Sequence, residues 1–110
     1  MKFTRTTPRF DFTAPARIFR DGSVGTATVK ELSQNGCFLE FSEPYPPGTN
    51  ILLRIFSQDE IFEADAKVIY ARPGLGMAVA FRDVKPPFLE ILEKWSLATM
   101  RRVRGETSIP

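Results

Sequence analysis

Two arginines stand four positions apart near the start of the chain, in the segment Arg5-Thr6-Thr7-Pro8-Arg9. Two guanidinium groups at this spacing in an extended or turning segment can converge on one anion, each donating two hydrogen bonds to phosphate oxygens. A guanidinium can also lie flat on a purine ring. Pro8 fixes its own φ and biases Thr7 away from the helical region, so the spacing is partly preset. The segment indicates an anion-binding or base-stacking site, although arginine pairs at this spacing are common.

A second polar cluster is Glu31-Leu32-Ser33-Gln34-Asn35-Gly36, between two predicted strands. It presents a carboxylate, a hydroxyl and a glycine, and a glycine lets backbone approach a ligand closely. The carboxylate of Glu31 can accept hydrogen bonds from the N1 and N2 donors of guanine. The alternative interpretation is an ordinary Asn-Gly hairpin turn capped by Ser33. Taken separately, each of the two clusters is better explained by its ordinary structural role.

The composition excludes several kinds of catalytic site. The 110 residues include no histidine and one cysteine, Cys37, so zinc fingers, histidine-ligated metal centres, Ser-His-Asp triads and internal disulfides are excluded within the chain. The acidic pairs Asp59/Glu60 and Glu63/Asp65 are expected to be solvated turn and strand residues rather than acid–base catalysts. The chain is therefore predicted not to be an enzyme and to hold no metal or cofactor, with Cys37 a small buried side chain.

Charge is distributed unevenly along the chain. Fifteen Lys and Arg against thirteen Asp and Glu give a formal net charge of +2, too near balance for duplex DNA binding by bulk charge. Both ends are basic, whereas residues 21–93 hold 6 basic and 11 acidic residues. This asymmetry indicates a local anion site. No apolar run is long enough for a transmembrane helix, and the start lacks the apolar run of a secretory signal. A lone thiol then indicates a cytoplasmic protein.

The elements that must position these clusters are short segments of alternating polar and apolar residues, which predict an antiparallel β-barrel. Asp21-Gly22, the Pro-rich run at 44–48, Gln58-Asp59-Glu60 and Pro73-Gly74 predict the intervening turns and loops. The apolar face of the fifth strand is predicted to include Tyr70. The six predicted strands lie near residues 9–13 (leading on through Ile18 to the turn at Asp21), 25–32, 37–41, 49–56, 62–70 and 77–81.

A change of period after Pro86-Pro87 predicts one amphipathic helix. The helix is predicted to end near Arg104. Its apolar residues recur at spacings of three and four, and this stripe is compatible with sealing the barrel, with mediating a homodimer, or with both. The predicted fold is therefore a single all-β domain, a six-stranded antiparallel split barrel with a C-terminal α-helix. Its parts are a flexible arginine-bearing segment at 1–9, the barrel at 10–82 and the helix at 86–104.

Taken together, the two polar clusters resemble the PilZ domain family, which binds the bacterial second messenger cyclic di-GMP (c-di-GMP). The RxxxR pair is followed, after 21 intervening residues, by Glu31-x-Ser33-x-x-Gly36, similar to the family's (Asp/Asn)xSxxG turn. The resemblance covers nearly the whole chain and implies the same barrel and helix. Its other supporting segments are Gly36–Phe41, the Pro-rich loop Pro44–Thr49, Ala66–Tyr70 and Leu75–Phe81.

The resemblance also implies a role for each residue. Arg5 and Arg9 would clamp phosphates and stack on guanine, Ser33 would hydrogen-bond the ligand, and Gly36 would let the backbone pass near it. Glu31 departs from the family's Asp or Asn. Its extra methylene moves the acceptor oxygens by about one bond length. The expectation is that the arginine segment wraps over the barrel rim and meets the turn at 31–36 around the ligand.

Three functions follow from these observations. The first is a c-di-GMP receptor module that converts ligand binding into a changed interaction with an unidentified downstream protein. The second is a degenerate PilZ-like domain that works through protein contacts, in motility or pilus assembly, with weak or no nucleotide binding. The third is a barrel that binds single-stranded nucleic acid. Against the third, the phenylalanines alternate as core residues do and the middle of the chain is acidic.

Overall fold

The computed structural model describes residues 10–104, with side chains described for residues 10–98. Six strands precede one helix in this part of the chain, as the alternation of apolar residues predicts. The elements are β1 (Phe10–Arg20), β2 (Ser23–Leu32), β3 (Gly36–Glu40), β4 (Asn50–Ser57), β5 (Glu60–Arg72), β6 (Gly76–Arg82) and α1 (Pro86–Arg104). The segment at 1–9, with Arg5 and Arg9, lies outside the described residues.

The strands form a closed antiparallel barrel in the order β1-β2-β3-β6-β5-β4. Pairing of Ala16–Phe19 in β1 with Leu52–Ile55 in β4 closes the barrel. The 13-residue β5 pairs with β4 through its first half and with β6 through its second half. At the β1–β2 hairpin, Asp21 and Gly22 both have positive φ (48° and 82°), as the two-residue turn of a twisted hairpin requires. The predicted six-stranded barrel with a C-terminal helix is confirmed.

The hydrophobic core lies inside the barrel and follows the period-2 pattern of the strands. Alternate residues of β4 are buried, while Arg54 between them points outward and is half-exposed. Cys37 is buried among these apolar side chains, as predicted. The largest fully buried side chains are Trp95, Phe62, Ile18, Leu32, Leu39, Leu53, Ile55, Met77, Leu92, Val29 and Val68.

The expectation that Tyr70 continues the apolar face of β5 is wrong. The β5–β6 register shifts between Val68 and Tyr70, where β5 holds one more residue than its partner strand. A bulge of this kind changes which face the following side chains point to. Val68 is 1% exposed, whereas Ile69 and Tyr70 are 52% and 39% exposed. The tyrosine therefore lies on the outside of the barrel.

Helix α1 packs its apolar stripe against β5 and β1, and Leu92 and Trp95 are fully buried. The Trp95 ring lies against Phe12 of β1 and Phe62 of β5, with ring centroids 5.3 and 6.3 Å away. Lys94 adds an ion pair to Glu60 at the start of β5, with 2.6 Å between Nζ and Oε2. No helix in the described part of the chain combines the length and the apolar character needed to cross a membrane. The stripe therefore packs on the barrel, while the expected homodimer stays a prediction.

Candidate functional site

The pairing of β1 with β2 brings the start of the described chain beside the second polar cluster. Phe10 lies opposite Leu32, and Asp11 lies opposite Glu31. Arg9 is joined to Phe10 by a peptide bond, and Ser33 follows Leu32 in the same way. The register thus sets the point at which the arginine-bearing segment joins the barrel next to the turn at 33–36. Arg5 and Arg9 themselves lie outside the described residues.

The turn that connects β2 to β3 is held together by Ser33. Its backbone N–H and its hydroxyl both donate to the carbonyl oxygen of Gly36, at 2.9 and 3.3 Å. The hydroxyl oxygen also accepts from the backbone N–H of Asn35 at 3.1 Å. Ser33 is 8% exposed. In this structure the serine therefore caps the turn, as the ordinary interpretation of this segment expects.

The turn is also tied to β6 by a backbone hydrogen bond. The N–H of Phe81 donates to the carbonyl oxygen of Asn35 at 2.8 Å, one residue before Gly36 pairs with Ala80. The rim at residues 33–36 is thus held by its own serine and by the neighbouring strand. A ligand at this rim would meet backbone that is already ordered.

The packing of the barrel requires glycine at position 36, which the sequence alone did not show. A Cβ at this position would overlap the carbonyl oxygen of Val79 and lie 3.2 Å from the Cα of Ala80. Because strands β3 and β6 approach so closely here, no larger residue fits without a backbone shift. The glycine is needed for the barrel itself, and its predicted approach to a ligand is a separate role that stays a prediction. The signal was ambiguous, since both roles call for the same residue.

Glu31 is half-buried on β2, opposite Asp11 on β1 and Phe38 on β3. A register shift lies between Val29 and Glu31 in the pairing with β3. Irregular pairing of this kind often re-aims a side chain near a binding site. Of the five predicted site residues, the structure therefore brings Glu31, Ser33 and Gly36 together at one rim.

Cys37 follows the turn directly, and its burial disfavours the thiolate form. It is buried in the core, and desolvation raises the pKa of its thiol well above the ordinary value of 9.0. A thiol that stays protonated is a poor nucleophile and a poor metal ligand. Within the described residues, no group of three or more His, Cys, Asp or Glu side chains is placed to hold a metal ion. The described rim thus offers hydrogen-bonding groups to a ligand.

An aromatic cluster links this rim to the helix, and sequence reasoning assigned its members only to the core. Phe10 meets Phe12 edge to face, with centroids 6.3 Å apart, and Phe12 stacks on Trp95. Trp95 is fully buried, and its indole N–H has no hydrogen-bond partner among the described residues. The alternation of Phe10 and Phe12 together with the helical stripe was the available signal. It did not show that the two patterns meet.

Comparisons with known proteins agree with the barrel-and-helix fold. The family model described as "PilZ domain" matches residues 3–98. Among curated proteins, no sequence matches significantly. The PilZ domain of YcgR from Escherichia coli, solved with c-di-GMP, superposes with a TM-score of 0.74 at 16% identity, covering 96% of this chain and 98% of that domain.

Two further solved structures share the fold. The Bacillus subtilis inhibitor of motility MotI matches with a TM-score of 0.74 at 15% identity, covering 94% of this chain and 53% of MotI. The PilZ domain of CeSA from a cellulose-synthesizing bacterium matches with a TM-score of 0.60 at 24% identity, covering 91% of this chain and 98% of that domain. This chain thus spans about half the length of MotI. At these identities the neighbours establish the fold of this chain.

Proposed function

Because this chain belongs to the PilZ domain family, we propose that it is a c-di-GMP receptor module. Arg5 and Arg9 bind the ligand's phosphates and guanine faces, and the rim at residues 31–36 binds it from the other side. The observation that carries this proposal is the register that sets Phe10 opposite Leu32. It joins the RxxxR segment to the barrel beside Ser33.

The chemistry of the ligand suits these groups. c-di-GMP carries two phosphates and two guanines, so it offers anionic oxygens to guanidinium groups and N1 and N2 donors to a carboxylate. Arg5 and Arg9 supply the cations, and Glu31 supplies the acceptor. Each guanidinium group contributes its own phosphate contacts or stacking, so the affinity depends on both arginines.

Ser33 can turn to a ligand at small cost. Its hydroxyl and its backbone N–H donate to the same carbonyl oxygen, that of Gly36. When the hydroxyl hydrogen alone rotates about the Cβ–Oγ bond, the Gly36 oxygen keeps its backbone donor and the Ser33 Oγ still accepts from the Asn35 N–H. Because a typical net hydrogen bond contributes about 1 kcal/mol, one new bond to a phosphate or guanine offsets the loss. The free and ligand-bound forms of the turn therefore differ in the direction in which the Ser33 hydroxyl donates its hydrogen bond.

We propose further that ligand binding is passed on to another protein. Ligand binding changes the interaction of the domain with a downstream protein in the cytoplasm, and the domain performs no catalysis. The Bacillus subtilis inhibitor of motility shares this fold over 53% of its chain, which supports a regulatory output for the domain.

A scaffold without nucleotide binding is the second candidate function. Two observations favour it: Glu31 replaces the family's Asp or Asn, and the Ser33 hydroxyl is already bonded within its own turn. A scaffold of this kind keeps the barrel and contacts a protein partner without regulation by c-di-GMP.

Calorimetric titration of the full chain with three ligands separates these functions. The receptor function predicts saturable heat with c-di-GMP and far weaker binding of GMP and of a single-stranded oligonucleotide. Absence of binding to all three supports the scaffold and overturns the receptor. Preference for the oligonucleotide would identify a single-stranded nucleic-acid barrel.

A further inference from the structure

Two arginines lie directly opposite each other on the outside of the barrel, where β1 pairs with β4. Arg17 of β1 is the Cα partner of Arg54 of β4. Like charges directly opposite in a sheet destabilise it unless something neutralises them. Glu63 of β5, the partner of Arg54 on its other side, accepts from the Arg54 Nε at 2.7 Å. Among the described residues Arg17 has no ion pair, so this trio carries one excess positive charge.

Aromatic rings hold both guanidinium groups in place. The guanidinium carbon of Arg17 lies 6.0 Å from the ring centroid of Phe56, and that of Arg54 lies 4.9 Å from the ring centroid of Phe19. Cation–π contacts of this kind restrict the orientation of a long side chain without using its hydrogen-bond donors. The donors of Arg17 therefore stay available to an anion.

Two open grooves flank the arginine pair. A groove of about 300 Å³ is lined by Pro15, Arg17, Thr26 and Phe56 among others. A groove of about 830 Å³ on the other side includes Phe19, Leu52, Asp65 and Arg82. Beyond Phe56, its β5 partner Ile61 is 47% exposed. The face thus combines free Arg17 donors with a mainly apolar recess beside Phe56. The wider recess beside Phe19 is lined mostly by polar and charged residues, among them Arg20, Asn50 and Arg82.

We propose that this face, formed by the outward side chains of β1, β4 and β5, docks an acidic segment of a partner protein. A carboxylate of the segment bridges Arg17 and Arg54, and an apolar side chain next to it occupies the smaller groove beside Phe56. The bridging carboxylate neutralises the excess charge and relieves the repulsion between the arginines. Guanidinium groups bind carboxylates in this forked manner.

The same face disfavours a nucleic acid or an anionic membrane. Glu63 and Asp65 lie within it, and a row of phosphates would be repelled by both carboxylates. One isolated carboxylate between the arginines avoids them. The proposal goes beyond c-di-GMP binding, because β4 and β5 are neighbours of neither β2 nor β3 in the barrel.

The test is a titration of the ¹⁵N-labelled full chain with a short synthetic peptide that holds one Glu between leucines, followed by NMR. Shift changes are expected at residues 15–19, 52–56 and 61–65. Arg17→Glu should weaken binding about tenfold or more, since it removes a charge-assisted contact and lets the new carboxylate pair with Arg54. Arg72→Glu is the matched control, because Arg72 is exposed and also lies over a ring, that of Tyr70, at 5.9 Å. This control should bind as the wild type does.

The proposal is overturned if the peptide does not bind at millimolar concentration or if the shifts lie on another face. It is also overturned if Arg17→Glu and Arg72→Glu weaken binding equally, or if a Lys-Leu peptide binds as well. Tighter binding of an oligothymidylate or of vesicles containing phosphatidylserine would overturn the assignment to protein. None of these outcomes depends on c-di-GMP, so failure here is distinct from failure of the receptor function.

Discussion

The ring of Phe12 stacks on that of Trp95, with centroids 5.3 Å apart and planes 25° from parallel. This contact joins the first residues of β1 to the buried side of α1. Phe12 is two residues from Phe10, and Phe10 carries the segment that holds the two proposed ligand arginines. A structural change in that segment can therefore reach the helix through the contacts of Phe10 with Phe12 and of Phe12 with Trp95.

Trp95 should report ligand binding through its fluorescence. It is the single tryptophan of the chain, so its emission can be followed without interference. Binding of the ligand by Arg5 and Arg9 should alter the Phe12–Trp95 stack and shift the emission in a saturable manner during a c-di-GMP titration, with no shift for GMP. Phe12→Leu should reduce the shift while calorimetry still detects binding. Unchanged emission alongside clear binding heat would show that the stack does not sense the ligand.

Arg9→Ala should weaken c-di-GMP binding by about 10- to 100-fold. Loss of one charge-assisted contact costs roughly 1.5–3 kcal/mol, and about 1.4 kcal/mol corresponds to a tenfold change in affinity. Arg72→Ala removes an exposed arginine from the end of β5 and should leave the affinity unchanged. Calorimetry of both variants under the same salt conditions makes the comparison. Equal affinities for Arg9→Ala and the wild type would remove the arginine clamp.

Gly36→Ala should destabilise the barrel, because its Cβ would overlap backbone of β6. Overpacking of this kind typically costs about 1–3 kcal/mol. Gly25→Ala is the matched control, since its Cβ would meet side-chain atoms and no backbone: the ring of Phe41 at 3.2 Å and the Tyr45 hydroxyl at 3.8 Å. Alanine also lowers the chain entropy lost on folding by about 0.5–1 kcal/mol, which offsets that contact. In urea unfolding, a Gly36→Ala protein as stable as Gly25→Ala would show that β3 and β6 can separate locally.

Cys37 should make the folded protein less stable at high pH. Burial raises the pKa of the thiol in the folded state above its ordinary value of 9.0, so above pH 9 the unfolded chain loses a proton that the folded chain keeps. The contribution is fully present below pH 9 and falls by about 1.4 kcal/mol for each further pH unit. Urea unfolding of the wild type and Cys37→Ala at pH 7 and 10 isolates it. Identical pH dependence of the two proteins would contradict the burial of an un-ionised thiol.

Local patterns in the sequence were enough to predict the strands and the helix. Strand β4 reads as strict alternation and is buried accordingly, and the helix begins at the proline pair that predicts its start. Tyr70 was misplaced because a bulge depends on how two strands pair and leaves no mark in the residue types. The contact of Lys94 with Glu60 joins residues 34 positions apart and follows from tertiary packing alone.

The candidate site was predictable in its parts, whereas the way the parts fit together needed the structure. The types and spacing of Ser33 and Gly36 pointed to the rim, but only the strand pairing shows that Phe10 starts beside it. The clash that requires glycine at residue 36 comes from β6, which is more than 40 positions away along the chain. The pairing of Arg17 with Arg54 likewise arises where the barrel closes, so no local pattern marks it.

A crystal structure of the full chain bound to c-di-GMP tests the central claim most directly. The account predicts that one bound ligand, or one stacked pair, contacts both guanidinium groups of Arg5 and Arg9 and also the rim formed by Glu31, Ser33 and Gly36. The Ser33 hydroxyl should have turned from the Gly36 carbonyl toward the ligand. A ligand bound on another face, or one held by the rim without either arginine, would contradict the account.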